Sequence, residues 1–337
     1  MTCTIASLAW RVATILVLAS VSVGCNPRSQ QASSGPAEPV NLAVSSEATD
    51  GLALIALDKG FFAQSGIAPN AKVTASGKEA LEALRRGEAD LAFVAETPIV
   101  FDALDKPDLR IVAQVGRNHD ELRIVARRDR GIKSVADLRG RRVGTQEKSS
   151  VHYFLYLALL RHHITMADIE PVYLKADALP EALARGEIDA FAMREPQVGR
   201  AEALLGDKAL VLSEPGLYFK LFCLVAKAET LKSRPSLPDK VLRGLLMAED
   251  FVRNDPLAAQ NMIASRSGID KADLAALWPA MKLDVTLDQV LLVSLQQEGQ
   301  WPIDTRMTSR SGLPDYLSMI HTDALMRVKP EVVHVFR

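Results

Sequence analysis

Hydroxyl, amide and carboxylate groups recur in this chain where short apolar runs end and helical patterns begin. The places are Ser45-Ser46-Glu47, Ser76-Gly77, Glu96-Thr97, Ser149-Ser150 and Arg194-Glu195. A helix start offers unpaired N–H groups and roughly half a positive charge, so it can hold an oxyanion with no basic side chain at all. Ser149 and Ser150, which open the helix from Val151 to His163, are the leading candidates for such a grip; plain capping is the other reading. Glu47, Glu96 and Glu195 either offset a helix dipole or meet an amino group. Acids beside hydroxyl-capped helix starts suit a zwitterion such as an amino-sulfonate, or an amino-pyrimidine, better than a bare nitrate or alkyl sulfonate. Asn118, His119, Asp120 and Tyr218 flank two further apolar runs and are added as candidate contacts, with a solvated turn and a core position as their alternatives.

The chemistry these residues could do is capture. The sequence has no HExxH, no Gly-x-Ser-x-Gly and no phosphate loop ending in Lys-Ser or Lys-Thr. His162 and His163 are neighbours on a helix and face different sides, so they cannot chelate one ion together. No metal or cofactor is expected. Lys and Arg number 40 against 41 Asp and Glu, which leaves no single-sign field for nucleic acid. Aromatic residues are only 5% of the chain, too few for stacked bases or a ring-lined sugar groove.

The elements that must position these groups alternate between strand and helix, the pattern of an α/β protein with doubly wound sheets. Val40 to Val44, Ala71 to Ala75 and Leu91 to Val94 read as strands. Helices follow them, with Asp50, then Ser76 with Glu79, then Thr97 before Pro98 as their caps. The grammar resumes with a short helix at Ser134, a strand at Arg142 to Thr145, a helix from Ser150 to His163 and a strand at Val172 to Leu174. Beyond Ala226 the apolar spacing is mostly helical, and these helices are expected to pack back on the first lobe. A repeat supports two similar halves: Glu82-Ala-Leu-Arg-Arg-Gly-Glu-Ala-Asp90 is answered by Glu181-Ala-Leu-Ala-Arg-Gly-Glu-Ile-Asp189. Each copy is followed by a glutamate, Glu96 or Glu195, with a proline just beyond.

Arg11 and the apolar stretch Val12 to Val23 form a run too short to span a bilayer but suited to an export signal. Val21-Ser22-Val23-Gly24-Cys25 resembles the bacterial lipobox, with Ser22 where leucine is usual, so Cys25 is expected to carry lipid. Asn26 to Pro39, rich in Ser, Gln, Pro and Gly, reads as a tether. Cys223 then stands alone in an apolar run as a small buried hydrophobe, and no disulfide framework exists.

Several segments together carry a family resemblance. They are Ala53 to Gly66, Gly87-Glu88-Ala89-Asp90, Lys133 to Gly140 leading to Val143-Gly144, and Gly186 to Ala190 followed by Glu195-Pro196. In this order they resemble the periplasmic solute-binding proteins for nitrate, sulfonates, taurine and thiamine-pyrimidine precursors. The resemblance implies a two-lobed type II periplasmic binding protein fold, each lobe a sheet flanked by helices, with two crossing hinge strands placed at Leu122 to Ala126 and Lys220 to Ala226. It divides the chain into residues 1–24 (signal), 25–39 (tether), 40–122 with 226–337 (first lobe) and 123–225 (second lobe). It also implies a small polar ligand in the cleft, an ABC transporter permease as partner, and a monomer outside the cytoplasmic membrane, held there by lipid alone. An enzyme on this scaffold and a sensory receptor remain the competing classes.

Overall fold

The computed structural model describes residues 36–335; the signal segment, Cys25 and nearly all of the tether lie outside them. The described chain forms two large sheets built to one plan. In order, the first part of the chain gives β1 (Glu38–Ser45), α1 (Gly51–Asp58), α2 (Phe61–Gln64), β2 (Ile67–Thr74), α3 (Gly77–Arg85), β3 (Leu91–Ala95), α4 (Glu96–Asp105) and β4 (Leu109–Asn118). The middle gives β5 (Arg123–Arg127), β6 (Arg142–Thr145), α5 (Ser150–Arg161), β7 (Glu170–Tyr173), α6 (Leu179–Arg185), β8 (Ala190–Met193), α7 (Gln197–Leu205) and β9 (Ala209–Ser213). The last part gives β10 (Lys220–Lys227), α8 (Ala228–Ser233), α9 (Leu237–Asn254), α10 (Pro256–Ser267), α11 (Lys271–Leu277), β11 (Met281–Lys282), β12 (Leu287–Asp288) and α12 (Gln289–Asp304).

The six-stranded sheet runs β11-β4-β10-β3-β1-β2 and the five-stranded sheet β7-β6-β8-β5-β9. In each, three parallel strands (β2-β1-β3 and β7-β6-β8) are followed by two antiparallel ones (β10-β4 and β5-β9). This is the two-lobed α/β architecture expected. The repeated nine-residue segments occupy equivalent places, each running from a helix through a left-handed glycine, Gly87 or Gly186, into the third parallel strand. Helices on both faces leave β3 and β8 wholly buried, which is why they read as unbroken apolar runs. Each sheet has its own core, and the C-terminal helices bury Leu242, Leu245, Ile263, Leu291 and Leu295 in the core of the six-stranded one.

Three local expectations need correction. Residues 220–225, assigned above to the second lobe, pair between β3 and β4 in the six-stranded sheet. The strands expected to cross are therefore members of opposite sheets, and the passage between lobes is made by residues 119–122 and 214–219. Glu38 and Pro39, assigned to the tether, already belong to β1, where Glu38 pairs with Arg234 and Lys240. Asp50 stands at the N-cap position of α1 without a side-chain bond to the helix, and Thr97 lies inside α4. Asp50 turns back to accept the Ser45 amide at 2.8 Å, and α4 begins one residue ahead of Thr97, at Glu96. Gly116 in β4 shows how closely the first lobe is packed: a Cβ there would lie 2.1 Å from the Thr49 carbonyl oxygen.

Candidate functional site

Two buried polar clusters lie where the lobes face each other. The first centres on Glu47, which is 5% exposed, in the extended backbone after β1. One carboxylate oxygen accepts the Gly77 amide at 2.9 Å, at the start of α3, and meets Arg194 Nη2 at 2.8 Å from the end of β8 in the opposite lobe. The other oxygen bonds Lys220 Nζ, which also bonds Glu121. Lys220 is 1% exposed and Arg194 6%. Burial alone would raise the Glu47 carboxyl, but the Arg194 and Lys220 charges hold it below its ordinary range. Burial likewise opposes charge on Lys220, and Glu121 and Glu47 outweigh it, raising the ammonium. Two acids and two bases are thus balanced in a site with almost no water contact.

More contacts join the lobes around this centre. Gln146 Nε2 donates to Ser76 Oγ at 3.2 Å, Lys78 Nζ to the Glu147 carbonyl at 2.7 Å, and Arg194 Nη2 to the Ala75 carbonyl at 3.2 Å. Ser76 also accepts the Glu79 amide as the expected cap of α3. The lobes are closed on one another.

The second cluster is acidic. The Tyr218 hydroxyl donates to Glu96, Thr97 Oγ1 donates to Glu298 Oε2 at 2.6 Å, and Thr97 and Tyr218 oxygens are 3.2 Å apart. Burial pushes the Glu96 carboxyl up to about 7, with hydrogen bonds from Tyr218 and Glu298 holding it partly down, and burial together with the Glu96 charge raises Glu298 well above its usual range. Aromatic rings seal the cluster: Tyr153 of α5 packs edge-on to Tyr218 (5.5 Å) and against Trp301 of α12 (5.1 Å), with Phe101 and His152 also on Trp301. Burial and the Lys78 charge lower the His152 imidazole to about 4, so it is neutral here.

The sequence candidates divide accordingly. Glu47, Ser76, Gly77 and Arg194 come together in the first cluster, and Glu96, Thr97 and Tyr218 in the second. Ser149 caps α5 only loosely, its hydroxyl given to the Gln146 carbonyl, and Ser150 is buried in the first turn beside it. The others serve local structure. Ser45 Oγ accepts the Glu47 amide, Ser46 is half-buried with its amide on Thr74, Asn118 accepts the Asp120 amide, and Asp120 pairs with Arg123. His119 is exposed and stacked on Phe219. Glu195 accepts the Gly199 amide of its own helix, because α7 starts two residues later and turns the side chain inward. Lys220, Glu121 and Glu298 were missed.

The comparisons with known proteins agree with this geometry. A family model described as NMT1/THI5 like matches residues 51–259, more than half of the chain. The chain belongs to the NMT1/THI5-like family. A Brucella abortus (strain 2308) protein named as a binding protein is 25% identical over 248 residues, 73% of this chain and 75% of that one. An Escherichia coli (strain K12) protein named as an aliphatic sulfonates-binding protein is 32% identical over 126 residues, 37% of this chain and 40% of that one. Among solved structures, the alkanesulfonate-binding protein of Xanthomonas axonopodis pv. citri bound to MOPS superposes with a TM-score of 0.73. That match covers 86% of this chain and 99% of the other at 21% identity, and it establishes the fold. Among the described residues of this NMT1/THI5-like protein, no helix is long and apolar enough to cross a membrane, and no group of three or more His, Cys, Asp or Glu could hold a metal ion.

Proposed function

We propose that this chain is the solute-binding component of an ABC-type importer, anchored outside the cytoplasmic membrane through Cys25, and that it captures a small amino-sulfonate of the taurine kind between its lobes. The observation that carries the reading is the meeting of Arg194 from one lobe with Glu47, Gly77 and Lys220 from the other, since a ligand held there is touched by both lobes and favours their closure. Arg194, Lys220 and the start of α3 suit a sulfonate. Glu47 and Glu121 already balance Arg194 and Lys220, so a bare anion would meet no uncompensated cation and the same ligand should bring an amino group. The sulfonate-binding names of the E. coli and Xanthomonas proteins support that ligand class.

The second cluster favours one alternative. Carboxyls at Glu96 and Glu298 under the Tyr153, Tyr218 and Trp301 rings would also suit a flat amino-pyrimidine. A thermal-shift series with taurine, ethanesulfonate, nitrate and an amino-pyrimidine decides between them. At a hundredfold excess over Kd a ligand adds about 2.7 kcal/mol and raises Tm by several degrees. A rise with taurine above that with ethanesulfonate supports the proposal, and a rise with the pyrimidine alone replaces it. Turnover of any of these compounds would overturn the binding-protein reading.

A further inference from the structure

Glu47 holds its place in an unusual way for an acid beside a helix. As the residue ahead of its own short turn, Ala48–Asp50, it makes no side-chain bond to that turn. Its carboxylate instead reaches the amide of Gly77, 30 positions along the chain, where it meets Arg194 from the opposite lobe and Lys220 from β10. Three donors from two lobes thus converge on one anion. They are incompletely used by it: Arg194 is 94% buried by its 6% exposure, and its Nε has no hydrogen-bond partner. A carboxylate has two oxygens, and both are taken. A sulfonate has three, and could accept Arg194 Nε together with Nη2 as a fork while still meeting Lys220 and the Gly77 amide.

We propose that Glu47 is a resident anion occupying the seat of the ligand's oxyanion, so that ligand binding exchanges one anion for another at Arg194, Lys220 and the Gly77 amide. The inference rests on the cleft being the ligand site. Charge balance then fixes the ligand class. Glu47 and Glu121 neutralise Arg194 and Lys220, so a bare sulfonate displaces Glu47 and leaves a carboxylate buried without a counter-charge. An ammonium on the same ligand supplies that counter-charge. The zwitterion satisfies both anions, the guest's and the host's. Burial agrees with displacement: Glu47 is 5% exposed, Arg194 6% and Lys220 1%, so no solute reaches them as they stand. Entry therefore requires the lobes to part, which withdraws Arg194 from Glu47.

The experiment uses full-length protein and three probes: taurine, ethanesulfonate and sulfate. Wild type should bind taurine in preference to ethanesulfonate by calorimetry. Glu47→Gln, which keeps the shape but removes the charge, should gain about tenfold or more for ethanesulfonate, lose affinity for taurine, and acquire a sulfate-dependent rise in Tm that wild type lacks. Glu121→Gln is the control. It changes net charge equally but vacates no seat, so its gain must be clearly smaller; equal gains would reduce the effect to bulk electrostatics and overturn the proposal. If Glu47→Gln does not fold, Glu47→Asp, which draws the charge back from Gly77, must still show part of the ethanesulfonate gain. Unchanged or weaker ethanesulfonate binding in a folded variant, with no response to sulfate, overturns the exchange. Taurine binding to wild type without that gain rejects the exchange alone. A sulfate response in Glu47→Gln with no taurine binding to wild type rejects the sulfonate reading and leaves the exchange standing.

Discussion

Replacing Glu96 by glutamine should change how stability depends on pH, and the size of the change follows from where the side chain sits. Burial pushes the folded Glu96 carboxyl up to about 7, against 4.5 for the ordinary group. Between those values the folded protein keeps a proton that the unfolded chain has lost, so this contribution is full below pH 4.5 and disappears as pH rises to about 7. At about 1.4 kcal/mol per pH unit the loss is about 3 kcal/mol. His152 acts with the opposite sign: lowered to about 4, it stays neutral while the unfolded imidazole protonates, and it costs stability as pH falls below 6.5. The wild-type profile alone therefore mixes two opposed slopes. Urea denaturation of wild type and Glu96→Gln at matched pH removes His152 from the difference. Between pH 4.5 and 7.5 wild type should lose about 3 kcal/mol relative to the variant, with Glu298 adding in the same direction because Glu96 raises it. A difference constant within about 0.5 kcal/mol would show that the pair does not share a buried proton, and the argument for a sealed acidic cluster would fail.

Arg194→Met removes the cation that ties the lobes at Glu47 and Ala75. Losing one partner of a buried pair costs about 3–5 kcal/mol, here partly on the closed form, so small-angle scattering should report a larger radius of gyration than wild type; an identical radius refutes the clamp. Gly116→Ala puts a methyl group 2.1 Å from the Thr49 carbonyl oxygen and should lower stability by about 1–3 kcal/mol or more in urea; a neutral result would mean that β4 and the turn after Glu47 are not in contact. Trp301→Ala empties the centre of the ring cluster and should cost about 3–5 kcal/mol, with a lower Tm as the readout; a loss below about 1 kcal/mol would place Trp301 outside the packed seam.

The alternation of strands and helices was legible because buried parallel strands leave unbroken apolar runs, and because glycine at 87 and 186 marks helix ends by its positive φ. The partners that make the site were not. Lys220 stands at the edge of the run Phe219 to Ala226 and looks like a solvated strand end, yet its counter-charges come from Glu121 and Glu47, 99 and 173 positions away. Only folding brings them together. Glu298 did carry a signal: with Leu291, Leu295 and Pro302 it falls on the buried side of α12, where an acid needs a partner.

Glu96 and Glu195 show most clearly what sequence similarity leaves undecided. Both follow the same repeat and the same strand of equivalent sheets, so a reading by position treats them alike. After β3 the helix begins at Glu96 itself, and the side chain is fixed in the first turn against Tyr218 and Glu298, supplied by the interlobe passage and α12. After β8 the helix begins at Gln197, Glu195 stands outside it, and the carboxylate finds the free Gly199 amide within its own segment. The α12 acid has no counterpart in the five-stranded sheet. What the repeat duplicated was a scaffold and a strand end; at β3 the partners of Glu96 came from the interlobe passage and α12, segments that were not duplicated, whereas at β8 the strand end itself differs, with Arg194 where β3 has Ala95.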